Sequence, residues 1–311
     1  MRLRTGLAIL PLVLVPLVAC APEDDDSGTT ASDDTSSSAP AEETNESAPT
    51  EEATEATGLS PECAPDQLPL NAAGQLTIAT DSPAYEPWFV DDDPTNGQGY
   101  ESAVAYAVAE TLGFGPDQVE WVVVPFNTSY KPGDKDFDFD INQISISPER
   151  AKVVDFSDGY YSAAQALIAL EGDDITSATS LADLASYKLG AQTGTTSLTA
   201  IRETIQPSDE PAVFEDTNAA KQALLNDQVD AIVADFYTAN YITSVEITEA
   251  TIVGQFASPE GTEEEFGLLF EKGNPLVSCV NEALATLKED GTLAQLEERW
   301  LSGANDVPVL E

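Results

Sequence analysis

From Leu76 onward the chain alternates short apolar, β-rich runs with stretches of helical period. That alternation demands βα units wound around largely parallel sheets. Leu76–Thr80 reads as a buried strand, the segment from Tyr100 to Leu112 as a helix stopped by Gly113, and that from Val119 to Val124 as the next strand. A third strand is expected from Phe137 to Ile146, after which Ser147 caps a helix with Pro148 in its first turn. A second set of units follows the apolar run from Ala166 to Leu170. It comprises a helix near Leu181 to Ala185, a strand from Lys188 to Ala191, a turn at Gln192-Thr193-Gly194 and a helix opening at Thr195 or Thr196. A helix from Thr217 to Leu225 and a strand from Val229 to Ala234, ending at Asp235, complete it. A strand from Glu265 to Phe270 and two amphipathic helices, Pro275 to Leu287 and Thr292 to Trp300, close the pattern. If that late strand rejoins the first set, lobe 1 is built from 63–166 and 262–311, and lobe 2 from 167–261. Crossovers near Ala166 to Leu170 and near Phe256 to Phe266 then form a hinge. The expected fold is α/β, with two lobes joined by two hinge crossovers.

The N-terminal end is of a different kind. Arg2 and Arg4 precede an apolar run from Leu7 to Val18, too short to span a bilayer comfortably but suited to a cleaved signal peptide over 1–19. The run ends in Leu17-Val18-Ala19-Cys20, which resembles a bacterial lipobox and implies lipidation of Cys20 as the mature N-terminus. Residues 20–62 carry many Asp and Glu among Ser, Thr, Ala and Pro, with no Lys or Arg. Such a tract cannot bury enough surface to fold and reads as a self-repelling tether.

Composition removes whole classes of function. With 56 acidic against 12 basic residues, the formal charge of −44 argues against nucleic acid or an anionic membrane surface as a partner, since both need a basic patch. The chain has no His and three Cys. Zinc sites, Ser-His-Asp triads and Cys-His dyads therefore fall away, and no metal or cofactor is expected. With Cys20 reserved for lipid, Cys63 and Cys279 remain as a pair in an oxidising compartment and read as one structural disulfide.

In open α/β sheets ligands sit outside the carboxyl ends of the strands. This filter selects Asp81 after the first strand, Asn142, Gln143 and Ser145 near the end of the third, Thr195 and Thr196 at a helix start, and Asp235 after a strand of the second set. Tyr85 and Trp88, with Phe89, sit in the loop after the first strand, suited either to sandwiching a ligand side chain or to ordinary core packing. Arg150 is one of three arginines beyond the signal sequence; it is either a fork for a carboxylate or a surface residue of an acidic protein. Asp235 either accepts from an ammonium group or caps the following helix, and Asp81 has the same two readings.

The order of motifs resembles the polar amino-acid-binding proteins of ABC importers, the family 3 solute-binding proteins, over nearly all of residues 74–302. The segments that carry it include Leu76-Thr-Ile-Ala-Thr-Asp81, Tyr85-Glu-Pro-Trp88, Ser145-Ile-Ser-Pro-Glu-Arg150, Gln192-Thr-Gly-Thr-Thr196, Val229-Asp-Ala-Ile-Val-Ala-Asp235 and Lys272-Gly-Asn-Pro275. The resemblance implies a type II periplasmic-binding-protein fold and a monomer that takes a free amino acid to an ABC permease. It implies that Arg150 grips the ligand carboxylate with Ser145 and Thr196, that Asp235 holds the ammonium, and that Asp81 and Tyr85 meet the side chain. Asn142 and Gln143 stand where the family has smaller residues, Asp140 where it has an apolar one, and the segment from Asn127 to Asp136 is atypical. Asp81 and Asp140 favour a cationic or amide-bearing ligand. The alternative is a cyclohexadienyl dehydratase-like enzyme on the same scaffold, for which Glu86 is the candidate general acid.

Overall fold

The computed structural model describes residues 58–257, 264–302 and 307–311. The leader 1–19, Cys20 and nearly all of the tract 20–62 lie outside the described residues. In chain order the strands are β1 (Leu76–Thr80), β2 (Val119–Val123), β3 (Phe139–Asp140), β4 (Val154–Phe156), β5 (Tyr161–Ala163) and β6 (Gln165–Leu170). There follow β7 (Leu189–Gln192), β8 (Ala212–Phe214), β9 (Ala231–Asp235), β10 (Ala250–Phe256), β11 (Glu264–Phe266) and β12 (Leu269–Glu271). The α-helices are α1 (Tyr100–Thr111), α2 (Phe126–Ser129), α3 (Thr196–Ala200), α4 (Thr217–Leu225), α5 (Phe236–Tyr241), α6 (Leu276–Glu289) and α7 (Thr292–Trp300).

Two five-stranded sheets define two lobes, ordered β2-β1-β3-β12-β4 and β8-β7-β9-β6-β10. In each, the first three strands run parallel and the fourth antiparallel to them. A two-stranded ladder of β5 and β11, registering Glu264 with Ala163 and Phe266 with Tyr161, lies where the chain passes between them. The molecule is a two-lobed α/β protein of type II.

Every residue of β1 is buried, as expected of an apolar strand covered on both faces. One face of the first sheet packs on α1, α6 and α7 through Ile78, Phe139, Val104, Val108, Val280 and Leu284. Gly99 precedes α1 at φ +94, and a Cβ there would lie 2.4 Å from the Trp88 carbonyl oxygen, so only glycine lets α1 start against that loop. Cys63 and Cys279 are bonded, tying the start of the described chain to α6. The second sheet is covered on both faces, by Leu184, Leu198, Ile201 and Ile205 on one and by Ala220, Leu224, Ala239 and Ile242 on the other.

The structure departs from the sequence expectation in several places, among them the strand expected from Glu265 to Phe270, which is split between β11 and β12 in different sheets, and the helix expected near Leu181 to Ala185, which is 3-10 over Leu181–Ser186. The third strand is not continuous from Phe137 to Ile146: β3 ends at Asp140, Gln143 turns to φ +46 with its N–H donated to Glu101 instead of a ladder, and pairing returns only as a bridge between Ser145 and Phe266. After Ser147 there is a single 3-10 turn, Arg150–Lys152, although the Ser147 hydroxyl does accept the Arg150 N–H at 3.2 Å. The first crossing lies before Ala166, because β6 is already a strand of the second sheet and pairs with β9 from Gln165 on. Lastly, residues 307–311, expected in lobe 1, pack on the second sheet. Val309 bridges to Gln255, Leu310 is buried beside Val253 and Phe256, and Gly254 is bare so that Leu310 fits, a Cβ there falling 2.5 Å from its Cγ.

Candidate functional site

The carboxyl ends of β1, β3, β7 and β9 face one another across the two lobes, and a cleft lies between them. Asp81, Tyr85, Asn142, Gln143 and Ser145 line it from the first lobe, and Thr195, Thr196 and Asp235 from the second. Counting its open mouth, the cleft encloses about 600 Å³.

Most of these side chains are held by short-range chemistry. Asp81 accepts from the Ser82 N–H at 2.7 Å and the Phe126 N–H at 3.1 Å. Thr195 caps α3, its hydroxyl accepting the Leu198 N–H at 3.1 Å and donating to the Gln192 carbonyl at 2.8 Å. Gln143 is fixed by Glu101, which accepts both its backbone and side-chain N–H. Glu101 also accepts from the Tyr160 hydroxyl; its complete burial pushes its carboxyl up to about 7, against those hydrogen bonds, which pull it down. Ser145 donates to Glu264 and lies 3.2 Å from the Thr196 hydroxyl of the opposite lobe.

Asp235 ends β9 at the cleft and accepts from the Gln165 amide at 3.0 Å. It is partly buried in the cleft wall. Burial first, and then the neighbouring Glu264, hold its carboxyl well above the usual range. Its side chain makes no cap to α5. Burial followed by the Asp216 charge pushes the Tyr85 hydroxyl up to about 12, against the Asn218 backbone beside it, which pulls it down.

Three sequence candidates are placed otherwise. Arg150 is buried behind Ser145 and does not line the cleft. Its guanidinium donates to the Ser145 carbonyl at 2.7 Å and, across the lobes, to the Gly194 carbonyl at 3.0 Å, and stacks 4.9 Å from the centre of the Tyr130 ring. Trp88 belongs to the core, edge-on to Tyr100, Tyr161 and Phe266; its indole N–H crosses to the Thr238 hydroxyl at 2.8 Å. Glu86 faces Asp91 and Tyr241 and is absent from the cleft wall.

Sequence reasoning missed Phe126, Gln192, Ser197, Thr217 and Thr238, which also line the cleft. Gln192 ends β7 and Thr217 opens α4, so the strand-end filter applied more fully would have found both; the Thr217 hydroxyl donates to Gln192 at 2.8 Å. Gln165 and Glu264 stand just behind the wall and leave no local signal in the sequence. Among the described residues no group of three or more His, Cys, Asp or Glu could hold a metal ion, and no helix is long and apolar enough to cross a membrane.

Residues 76–303 match the bacterial extracellular solute-binding proteins, family 3. The L-cystine-binding protein TcyJ of Escherichia coli K12 is 30% identical over 233 residues, 73% of this chain and 82% of that protein. Among solved structures, an ancestral arginine-binding protein bound to glutamine is 30% identical with a TM-score of 0.63, over 75% of this chain and all of that one. The ancestral amino acid-binding protein AncCDT-1, a precursor of cyclohexadienyl dehydratase, is 32% identical with a TM-score of 0.61, over 74% of this chain and 96% of that one. The chain belongs to the bacterial extracellular solute-binding proteins, family 3, and is a binding protein, not an enzyme.

Proposed function

We propose that the cleft takes one free polar amino acid and that the loaded protein delivers it to an ABC permease. The observation that carries this reading is the pairing, across one cleft, of the Asp235 carboxyl with the Ser145 and Thr196 hydroxyls, backed by a buried guanidinium. Asp235 would accept the α-ammonium group. Thr196 would donate to the α-carboxylate, Ser145 would do so by turning its one hydroxyl hydrogen away from Glu264, and Arg150 would join them by giving up the Gly194 carbonyl, which a charged acceptor outbids. Asp81 and Tyr85 lie toward the ligand side chain, with Asn142 and Gln143 beside it. The acidic wall favours a cationic or amide side chain, in keeping with the arginine and glutamine named for the ancestral relative. Opening would separate Ser145 from Thr196 and Arg150 from Gly194, so that closure on the ligand is what the permease reads. A leader over 1–19, lipid on Cys20 and the acidic tether over 20–62 would hold this monomer outside the cell membrane.

The test is a thermal-shift screen of the common amino acids against protein freed of bound ligand by unfolding and refolding. Ligand at a hundredfold excess over its Kd adds about 2.7 kcal/mol. A shift confined to arginine, lysine, ornithine, histidine or glutamine supports the reading; a shift with glutamate alone sinks the side-chain preference, and none at all sinks the amino-acid class.

A further inference from the structure

Gln165 is fully buried and sits at the pivot of the molecule, being the first residue of β6 after the chain has crossed from β5. Its side-chain nitrogen carries two N–H groups, and each faces a carboxylate. One goes to Asp235 at 3.0 Å and the other to Glu264 at 3.0 Å. Asp235 is its directly registered partner on β9. Glu264 opens β11, the strand by which the chain returns to the first lobe, and its other oxygen accepts from Ser145. A chain of hydrogen bonds thus runs from Ser145 through Glu264 and Gln165 to Asp235, linking both walls of the cleft through both hinge strands.

Two carboxylates facing one side-chain nitrogen in a solvent-poor interior repel each other unless a donor lies between them. The amide supplies that donor to both without carrying charge of its own. Turned over, it would lose both donated hydrogen bonds, whereas in the orientation found only its oxygen is left buried without a partner among the described residues. The consequence at the cleft is an Asp235 whose oxygen is fixed in direction, with a second negative group behind it.

We propose that Gln165 is the positioning residue of the ligand site and Glu264 its second anion, so that together they make the cleft select for an α-ammonium group. This rests on the amino-acid reading above and adds to it the residues that set the discrimination. The signature is specific: loss of the pair weakens binding of an amino acid more than binding of the same molecule without its amino group. General loosening of the hinge would weaken both alike.

The experiment is calorimetry with L-arginine and its des-amino analogue 5-guanidinopentanoate on wild type, Gln165→Leu and Glu264→Gln, folding being checked by circular dichroism. L-glutamine and 4-carbamoylbutanoate replace them if arginine does not bind the wild type. Gln165→Leu is expected to cut the preference for the amino form about tenfold, the order of one hydrogen bond to a charged group, and Glu264→Gln by about threefold. If leucine is not tolerated, Gln165→Met reads the same quantity. A preference kept at the wild-type ratio in the folded Gln165 variant, or an equal loss for both compounds, overturns the inference. If neither binds, the same pair is built on whichever amino acid the thermal-shift screen selects, and wild type that binds none of the common amino acids overturns the receptor reading itself.

Discussion

The two lobes repeat one sheet topology, and the repeat puts Asp140 and Asp235 at the same place, the last residue of the third strand in each. Their surroundings differ. Across from Asp235 on the antiparallel fourth strand stands Gln165, which donates to it; across from Asp140 stands Leu269, which has nothing to give. Both Asp140 oxygens are buried without a hydrogen-bond partner among the described residues. The Ser129 hydroxyl lies near enough to temper this, yet is turned to the Phe126 carbonyl at 3.2 Å. Desolvation therefore dominates, with Glu101 and Asp81 adding to it and Lys135 opposing, and Asp140 is held well above the ordinary carboxylate range. The lesson is that a buried carboxylate can be an instrument or a liability, and that the residue opposite decides which.

The largest effect that sharpens this contrast belongs to charge pairing. Arg150→Ala should weaken amino-acid binding by roughly 2–5 kcal/mol, measured by calorimetry, because it leaves the ligand carboxylate without its charged partner. Asp235→Asn should lie in the same range for binding while changing the urea midpoint little. Of the same order, but on stability, is the staple present in the first lobe: replacing Cys63 and Cys279 by Ser should cost about 2–5 kcal/mol in urea unfolding. Asp140→Asn should act in the opposite direction, adding about 1–3 kcal/mol at neutral pH by removing an unpartnered acid from the core. If Asp140→Asn instead abolished ligand binding and left stability alone, the contrast between the lobes would fail.

The pH dependence follows from the same groups. A carboxyl raised on folding keeps a proton that the unfolded chain has already lost, so stability falls as pH rises through the window between the two values. For Glu101 that window runs from its ordinary 4.5 to about 7. Asp140→Asn should remove part of the decline, and Glu101→Gln the part between those limits; a wild-type curve rising over that range would contradict both. The smallest effect is expected for Trp88→Phe, which loses one hydrogen bond between the lobes and should weaken binding by about 0.5–1.5 kcal/mol.

What the sequence disclosed reflects how local each determinant is. Helices such as Thr217–Leu225 and Thr292–Trp300 are written in their own periodicity, and β1 in its unbroken apolar run. Asp81, Ser145, Thr196 and Asp235 were found because strand ends in this class of sheet converge whatever the detailed packing. Trp88 was not resolvable, since an aromatic residue suits a core and a ligand wall equally well. Gln165 and Glu264 are 99 positions apart and meet only because both hinge strands pass the same point, which is a property of topology. The shortened third strand has a similar origin: Gln143 leaves the ladder for a carboxylate on α1.

Leu310 bears on how the molecule can be taken apart. Helix α7 ends at Trp300 against the first core, yet ten positions later Leu310 is seated in the second. No contiguous stretch therefore holds all of the second lobe. A fragment spanning 164–257 would lack the side chain that covers Gly254, leaving a void of leucine size beside Val253 and Phe256 at a cost of about 2.7–5 kcal/mol. Dissection, permutation or lobe exchange in this protein needs three cuts rather than two, and the last five residues must travel with the lobe they fill.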